Sequence, residues 1–273
     1  MTLKKLPICL LAGVLSVAVF SCKKSERATE QAQTTVSQQV LDKIDKLGFS
    51  TENVIARDGG YLVEGDILLT DENLSANVNS PSLRIAEDEQ YRTTNLVTSL
   101  PRTITVSVSN LTTPYSQATD VAIARYNAQN LRITFQRVSS GGNITIVGFN
   151  EGPSGGYITL GSAGFPTSSG NPYNQIRMNT NAAAYGSNPD VNYLASVLTH
   201  EMGHCIGFRH TDYMNRAFSC GGKKSNEGNA GVGAILIPGT PSKADANSWM
   251  LACSNGGNRL FNANDIIALN YLY

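Results

Sequence analysis

Short stretches in which apolar and polar residues alternate predict the β-strands of this chain. The clearest is RTITVSVSN, beginning at Arg102, where Ile104, Val106 and Val108 fall on one face of a strand that is buried on one side. LRITFQRV, NITIVGF and QIRMNT show strand-like patterns further on, and YITLGSAG lies in a long stretch rich in glycine, serine and proline. An earlier stretch with the same alternation, GYLVEGDILLT, covers residues 60–70.

Apolar residues at helical spacing predict four helices. One short amphipathic helix covers about 36–47, and a second covers about 116–127. A third begins near Asn188 as its cap, with Pro189 at the first helical position, and stops at Gly207 because glycine adopts the left-handed conformation that ends helices. The fourth is NANDIIALNYLY, for which Asn262 or Asn264 is the expected cap. The residues expected to face the core are Ile266, Ile267, Leu269 and Leu272.

The order of these elements predicts the fold class. A strand and a helix precede several strands and a second long helix, which favours an α+β domain in which helices pack on a twisted mixed sheet. The polar and charged region before residue 101 differs in pattern and indicates a separate segment. The chain has 273 residues, enough for one mid-sized domain and a small one.

The N-terminus resembles an export signal. Lys4 and Lys5 precede an apolar run from Leu6 to Phe20, which is too short for a membrane span. VFSC, ending at Cys22, resembles a bacterial lipobox, so we expect lipidation of Cys22 and a location in the cell envelope; the alternative is a plain signal peptide with a spare thiol. A lipid anchor would be the only membrane contact.

Net charge excludes nucleic acid as an expected partner. Removal of residues 1–21 leaves 19 basic and 21 acidic side chains, with no basic excess. We expect a monomer. Export permits disulfides, and we favour a bridge between Cys220 and Cys253, because Cys205 lies on a predicted helix where burial explains it.

The three histidines of the chain predict a metal site. His200 and His204 are four residues apart on the third predicted helix, so both imidazoles lie on one face and can reach one metal ion. Gly207 bends the chain so that His210 can return as the third ligand. Three protein ligands leave a fourth position for water, as in catalytic zinc sites. Glu201 lies beside this site and is the expected general base for a zinc-bound water and the later proton donor to the leaving amine.

Residues 200–212, HEMGHCIGFRHTD, resemble the signature of the metzincin zinc peptidases. The closer resemblance is to the bacterial dual-action HEIGH metallopeptidases, with Met202 in place of the isoleucine that names them. It extends through GGYLVEGDILLT, TNLVTSLPRTITV, HTDYMNRAFSCGG, SWMLAC and FNANDIIALNYLY. Membership implies endopeptidase activity on proteins, one zinc ion per site and a metzincin fold.

The resemblance also implies roles for residues after the zinc motif. Metzincins place a methionine in a turn beneath the metal, and Met250 matches it; the alternative is an ordinary core methionine. Some relatives have a tyrosine ligand two residues later, where this chain has Ala252, so only three histidines and water are expected. Residues 251–261 would line the main specificity pocket. Extended substrate would add to an edge strand at residues 156–162.

VEGDIL, at residues 63–68, resembles the prosegment motif of the astacin metzincins, in which an aspartate occupies the fourth zinc position. We therefore expect Asp66 to be a zinc ligand of an inactive precursor; the alternative is a Gly-Asp turn between two strands. A cysteine switch is excluded unless Cys22 were free, because no cysteine lies between it and Cys205. Removal at Arg84, at Arg92 or elsewhere up to about residue 100 is compatible with the sequence, and no site stands out. The predicted domains are a signal peptide (1–21), a tether and prosegment (22–100) and a catalytic domain (101–273).

The predicted function is a zinc-dependent endopeptidase that cleaves protein substrates. One alternative is a surface lipoprotein that uses a zinc-bound metzincin fold for binding; a structural zinc site prefers four protein ligands, so Glu201 beside an open position argues against it. Another is a zinc hydrolase for a non-peptide amide or ester. Calcium is unsupported, since no calcium-loop spacing surrounds its candidate ligands, which are Asp71, Glu72, Asp88 and Asp120.

Overall fold

The computed structural model describes residues 35–75, except 48 and 58, and residues 90–273, except 155, 225–233 and 242–243. The predicted signal peptide and Cys22 lie outside the described residues, as do Arg84 and Asp88, so export and lipidation stay predictions. Within the described ranges, no helix is long and apolar enough to cross a membrane.

Helices form at each of the four predicted places. The described helices are α1 (Gln38–Lys46), α2 (Asp71–Ser75), α3 (Thr113–Asn127), α4 (Ala182–Tyr185), α5 (Val191–Cys205), α6 (Ala217–Cys220) and α7 (Ala263–Leu272). The described strands are β1 (Ile55–Arg57), β2 (Gly60–Val63), β3 (Ile67–Leu69), β4 (Tyr91–Arg92), β5 (Arg102–Val108), β6 (Ile133–Arg137), β7 (Ile144–Phe149), β8 (Gly161–Ala163), β9 (Gln175–Asn179) and β10 (Ile235–Leu236).

Eight strands form one mixed sheet in the order β1-β2-β3-β8-β9-β7-β5-β6. The pairs β5–β6, β5–β7, β7–β9 and β3–β8 are parallel, and β1–β2, β2–β3 and β8–β9 are antiparallel. The predicted α+β class with a mixed sheet is therefore confirmed. Of the residues predicted to form the edge, 156–162, Gly161 and Ser162 belong to β8, and β3 pairs with β8 at Ala163, on the side away from β9. Their role as the edge that binds substrate stays a prediction.

Helices α3 and α5 pack on the sheet and enclose the main hydrophobic core. Ile104 and Val106 of β5, Ile146 of β7 and Ile176 of β9 have no exposed surface, and Leu198 of α5 is equally buried. Alternate residues of the strands point into this core, as the alternating sequence pattern predicted. This packing sets the position of α5, which carries the HEMGH motif, against the sheet.

Two details of the helices differ from the predictions. The N-cap of α5 is Asp190, whose carboxylate accepts a hydrogen bond from the Tyr193 amide at 2.8 Å; Pro189 precedes the cap instead of following it. In α7, Asn262 is the cap, but Ile267 is 42% exposed. Helical spacing explains this, since the buried face of α7 is occupied by Asp265, Ala268, Leu269 and Leu272.

The segment before residue 76 forms a second, smaller hydrophobic cluster. Ile44 of α1, Phe49 and Ile67 of β3 pack together, and Phe49 stacks on Phe165 with 5.8 Å between ring centroids. Phe165 in turn lies edge-on to His204, with 5.5 Å between the ring centroids. The early segment therefore packs beside the HEMGH helix and not away from it.

Residues 90–93 are tied to the later part of the chain. Strand β4 pairs with β10, the Thr93 amide donates to the Gly207 carbonyl at 2.8 Å, and the Arg209 amide donates to the Tyr91 carbonyl at 2.9 Å. The Gln90 side chain is fully buried. These contacts place the chain from Gln90 onward in the same structural unit as the histidine motif.

Candidate metal centre

Helix α5 and the turn after it bring the three histidines together. His200 and His204 are one turn apart on the buried face of α5. The helix ends at Cys205, and Gly207 follows with a φ of 108°, a conformation that other residues rarely adopt. A Cβ on Gly207 would also lie 2.7 Å from Leu96 Cδ2. The turn carries His210 back to the other two, as predicted.

The ligand atoms of this cluster are spaced for one small metal ion. His200 Nε2 lies 3.0 Å from His204 Nε2, and Asp66 Oδ2 lies 3.1 Å from His210 Nε2 and 3.3 Å from His200 Nε2. Bond lengths of about 2.0 Å from zinc to its ligands correspond to tetrahedron edges of about 3.3 Å. All four ligand atoms lie within 4.8 Å of one another. The residues therefore fit zinc.

The outer ring nitrogens of two histidines are fixed by main-chain carbonyls. His200 Nδ1 is 2.9 Å from the Trp249 carbonyl, and His204 Nδ1 is 2.8 Å from the Phe208 carbonyl. A proton on each Nδ1 leaves Nε2 with a free lone pair for a metal. Burial and the neighbouring His200 lower the pKa of His204 well below its usual value, which favours the neutral ring that a metal requires.

Met250 lies directly beneath the HEMGH helix, in the turn predicted from the sequence. It has no exposed surface, and its carbonyl accepts a hydrogen bond from the Thr211 amide at 2.9 Å. A Cβ on Gly203 would lie 2.6 Å from Met250 Sδ and 3.2 Å from Trp249 Nε1. Gly203 is thus required for the close approach of the methionine turn, a role that the sequence motif alone does not reveal.

Glu201 is buried beside the histidines and keeps one carboxylate oxygen without a partner among the described residues. Its exposure is 1%, and its Oε2 makes no hydrogen bond in the described part. Burial and the nearby Asp66 raise the pKa of Glu201 well above its usual value. A Cβ on Gly161 would lie 2.7 Å from Glu201 Oε1, so β8 leaves room for this carboxylate only because a glycine stands there.

Asp66 reaches the histidines from the tight turn between β2 and β3. Gly65 in that turn has a φ of 91°. The Asp66 carbonyl accepts from the Ala163 amide at 2.9 Å, and the Gly65 carbonyl accepts from Thr159 Oγ1 at 3.2 Å. Burial alone would raise the pKa of Asp66, but the positive charge of His210 and hydrogen bonds from His200 and His210 hold it well below its usual value. The Gly-Asp turn and the contact with the histidines therefore coexist.

An ion pair that the sequence analysis missed lies next to this turn. Arg209 Nη2 donates to both carboxylate oxygens of Glu64, and both side chains are fully buried. The sequence signals were an arginine inside the histidine motif and an acidic residue two positions before Asp66. Neither position indicates its partner, because 145 residues separate them.

A buried polar cluster supports the methionine turn from the other side. Asp265 Oδ1 accepts from Gln90 Nε2 at 2.6 Å and from Ser248 Oγ at 3.0 Å. Asp265 Oδ2 accepts from the Trp249 amide at 3.2 Å and the Asn262 amide at 2.9 Å. Because the Trp249 carbonyl contacts His200, this cluster positions a member of the metal-binding group.

We expect Asp265→Asn to lower the free energy of unfolding by about 2–4 kcal/mol, since an amide group would face buried donors. Burial raises the pKa of Asp265 from 3.8 to about 6. Between about pH 4 and 6 the folded chain therefore binds more protons at this site than the unfolded chain, and the site's contribution to stability falls as pH rises. Denaturant unfolding at several pH values should show this slope in the unsubstituted protein only. An equal slope in both would contradict the assignment.

A large open cavity lies in front of the cluster, with a volume of about 840 Å³. His200 and Glu201 lie at its base, and Tyr157, Val197 and Arg259 are among the residues of its walls. The disulfide joins Cys220 to Cys253, as predicted, and both residues line the cavity, while Cys205 is buried and free. The cavity is large enough for several residues of an extended polypeptide.

Asp212 and Tyr213, which follow the third histidine, make contacts within the protein. Asp212 Oδ1 accepts from the Ala252 amide at 2.9 Å, and Asp212 Oδ2 accepts from Ser219 Oγ at 2.6 Å. Tyr213 is buried and meets Tyr91 edge-on, with 4.4 Å between ring centroids. Within the described residues, the three histidines with Asp66 are the one group of histidine, cysteine and acidic side chains that is spaced for a metal ion.

Known proteins were compared with this chain by family and by solved structure. The family described as dual-action HEIGH metallo-peptidase matches residues 61–273. No curated protein matches the chain. Among solved structures, one of myroilysin shows 15% sequence identity and a TM-score of 0.42, covering 65% of this chain and 82% of that one. The zinc protease high choriolytic enzyme 1 from Oryzias latipes shows 14% identity and a TM-score of 0.37, covering 62% and 88%.

Proposed function

This chain belongs to the dual-action HEIGH metallopeptidases, and on that premise we propose that it is an endopeptidase in which His200, His204 and His210 hold zinc and Glu201 is the general base. The observation that carries the proposal is the position of Glu201, a buried carboxylate with a partner-free oxygen beside three convergent imidazoles, at the base of an open cavity. The substrates are polypeptides that lie extended in that cavity.

Zinc held by these residues would act as a Lewis acid and lower the pKa of a coordinated water to about 7. Glu201 accepts the proton of the attacking water at its carboxylate and later donates it to the amine of the departing peptide. Burial raises the pKa of Glu201, and a carboxylate whose pKa lies above its usual value is a stronger base for the proton of water.

The other residues of the centre orient these groups. The Trp249 and Phe208 carbonyls hold His200 and His204, and Met250 fills the space beneath the helix that carries them. Outer contacts of this kind keep metal-binding rings in one orientation and tautomer. They explain why the turn at Met250 and the helix at Gly203 must approach so closely.

We further propose that the described form is the inactive precursor. Asp66 Oδ2 stands where the fourth ligand of a tetrahedral zinc site would lie, and it therefore occupies the water position. Strand β3, which follows Asp66, also covers β8 beside the cavity. The segment that must leave ends before Gln90, because residues 90–93 are hydrogen-bonded to the histidine loop, and Arg92 lies inside β4.

Cleavage of casein distinguishes a peptidase from a binding protein that contains zinc. We expect the protein, after limited proteolysis has removed the segment that contains Asp66, to cleave denatured casein, and we expect a zinc chelator to abolish the cleavage. Added zinc should restore it. Removal of the metal eliminates the acid that activates water, so the loss should be nearly complete. A folded, zinc-loaded protein that cleaves neither casein nor a mixed peptide library would favour the binding protein.

A further inference from the structure

Glu151 is an acidic side chain on the cavity wall that pairs with a cation of the early segment. Arg57 Nη2 donates to Glu151 Oε2 at 2.6 Å, and among the described residues this is the one hydrogen bond of the Glu151 carboxylate. The Arg57 side chain is 25% exposed and the Glu151 side chain 41%. Both residues line the large cavity that has His200 and Glu201 at its base. The early segment therefore places a guanidinium group on the cavity wall.

The position of Glu151 is set by the later part of the chain. Asn179, at the end of β9, is fully buried. Its Oδ1 accepts a hydrogen bond from the Glu151 amide at 3.2 Å, and its Nδ2 donates to the Glu151 carbonyl at 2.8 Å. Neither bond involves the early segment. Removal of that segment would take Arg57 away and leave the Glu151 main chain in place.

These main-chain contacts also place Glu151 near the proposed general base. Asn179 Nδ2 donates to the Thr159 carbonyl at 2.8 Å as well, so the carbonyl oxygens of Glu151 and Thr159 lie close together. Thr159 is two residues before Gly161, where a Cβ would lie 2.7 Å from Glu201 Oε1. One extended residue spans about 3.3 Å, so a substrate side chain at Glu151 would belong to a residue about two to four positions from the cleaved bond.

Arg177 is a second cation close to Glu151. The two residues line the same small cavity, together with Arg57. The Arg177 guanidinium lies over the ring of Phe149, 5.4 Å from the ring centroid. With both arginines nearby, the Glu151 carboxylate is hydrogen-bonded to Arg57, the one that also lines the large cavity. The carboxylate therefore faces a cation that occupies the cavity and not the one that belongs to the sheet.

Removal of the early segment would leave Glu151 as the acidic group available to a substrate side chain. Among the described residues that line the cavity, Glu52, Glu64 and Asp66 would leave with the segment, and Glu151 and Glu201 would stay. Glu201 is the proposed general base. The basic residues that line the cavity come from segments after the third histidine, so we expect attraction of a basic side chain only near Glu151; they are Arg216, Lys223, Lys224 and Arg259.

Resting on the proposed peptidase function and on removal of the early segment, we infer that Glu151 is a specificity-determining residue. It binds an arginine or lysine side chain of the substrate in the place that Arg57 occupies in the precursor. A charged hydrogen bond between a guanidinium and a carboxylate is stronger than one between neutral groups, which gives a basic side chain its advantage at this position. The substrate class is thus polypeptides that have a basic residue near the cleaved bond.

The test uses the processed enzyme and pairs of fluorogenic peptides that differ only by arginine or its neutral isostere citrulline, at each of the four positions on either side of the cleaved bond. We expect kcat/KM to be about 3- to 10-fold higher for the arginine peptide at one position. This range lies between an exposed ion pair and a buried charged hydrogen bond, as the partial exposure of Glu151 implies.

Three variants separate the role of Glu151 from a general effect of charge. Glu151→Gln should bring the arginine-to-citrulline ratio near one. Glu151→Lys should reverse the preference, so that at the same position a peptide with glutamate is cleaved faster than one with glutamine. Asp120→Asn removes a negative charge from an exposed site on α3 and should keep the ratio of the unsubstituted enzyme. Zinc content and thermal unfolding establish that each variant is folded.

An arginine-to-citrulline ratio near one at every position in the unsubstituted enzyme would overturn the inference, whether or not the variants fold. A preference that survives both Glu151→Gln and Glu151→Lys would overturn it too. Failure of the proposed function has a different result, namely that no peptide is cleaved in a chelator-sensitive manner. Chelator-sensitive cleavage without a basic preference leaves the peptidase proposal intact and removes only the role of Glu151.

Discussion

Glu201→Gln should lower kcat/KM for casein-derived peptides by about 10²- to 10⁴-fold, the range expected when a general acid–base group is removed. Glutamine has nearly the same volume and keeps a carbonyl oxygen in the space beside Gly161, so the substitution leaves the packing unchanged. It cannot accept the proton of the attacking water. The measurement is steady-state cleavage by the processed enzyme, with zinc content determined on the same samples.

A matched control for this variant is Asp120→Asn on α3. The Asp120 side chain is 61% exposed and lies 3.4 Å from Arg137. Neither residue lines the cavity. Like Glu201→Gln, this substitution removes one negative charge. We expect Asp120→Asn to cleave like the unsubstituted enzyme. If Glu201→Gln retains both zinc and full activity, Glu201 is not the base, and another group must be sought in the cavity.

Asp66→Asn should make the full-length precursor active before any processing. The neutral amide loses the charge that holds Asp66 against His200 and His210, which are 3.3 and 3.1 Å from its Oδ2. A charge-assisted hydrogen bond is worth about 1.5–3 kcal/mol, so we expect the activity of the precursor to rise about 10- to 100-fold. The measurement is peptide cleavage by freshly purified precursor, with the intact mass checked at the end of the assay.

Asp45→Asn is the control, because Asp45 is an exposed residue of α1 in the same early segment. This variant tests whether the loss of any negative charge in the early segment is sufficient to activate the precursor. Precursor activity that does not differ between Asp66→Asn and the unsubstituted chain would show that latency, if present, does not depend on a fourth ligand. The hydrogen bonds from Arg209 to Glu64 are a second contact between this segment and the histidine loop.

The choice of Asp66 shows how far local pattern reaches. VEGDIL predicted a turn at Gly65 and a ligand at Asp66. Gly65 has a positive φ, and Asp66 lies beside the histidines, where its role as a ligand stays a prediction. The same six residues gave no indication of Glu64's role. Its partner, Arg209, is distant in sequence, and no spacing rule connects two strands or loops that meet only after the sheet has formed.

Hydrophobic periodicity did not predict which face of helix α7 is buried. The sequence of α7 offered more apolar residues than one helical face can bury, and Ile267 is exposed while the polar Asp265 is buried. Which face points inward depends on the partners of the helix. Here the donors Gln90, Ser248 and Trp249 supply hydrogen bonds that make the burial of a carboxylate tolerable.

The metal-binding cluster could be predicted from the sequence alone, because His200, His204 and Gly207 lie within one helix and one turn, whose geometry follows from local rules. Local spacing also indicated the bend that returns His210. The surroundings of that cluster became visible only in the folded chain. Four contacts around it join segments far apart in the chain. They are the hydrogen bond of His200 with Trp249, the packing of Met250 against Gly203, the pairing of β3 with β8 and the ion pair of Arg209 with Glu64. Contacts of that kind depend on how helices and sheet pack, which hydrophobic periodicity does not specify.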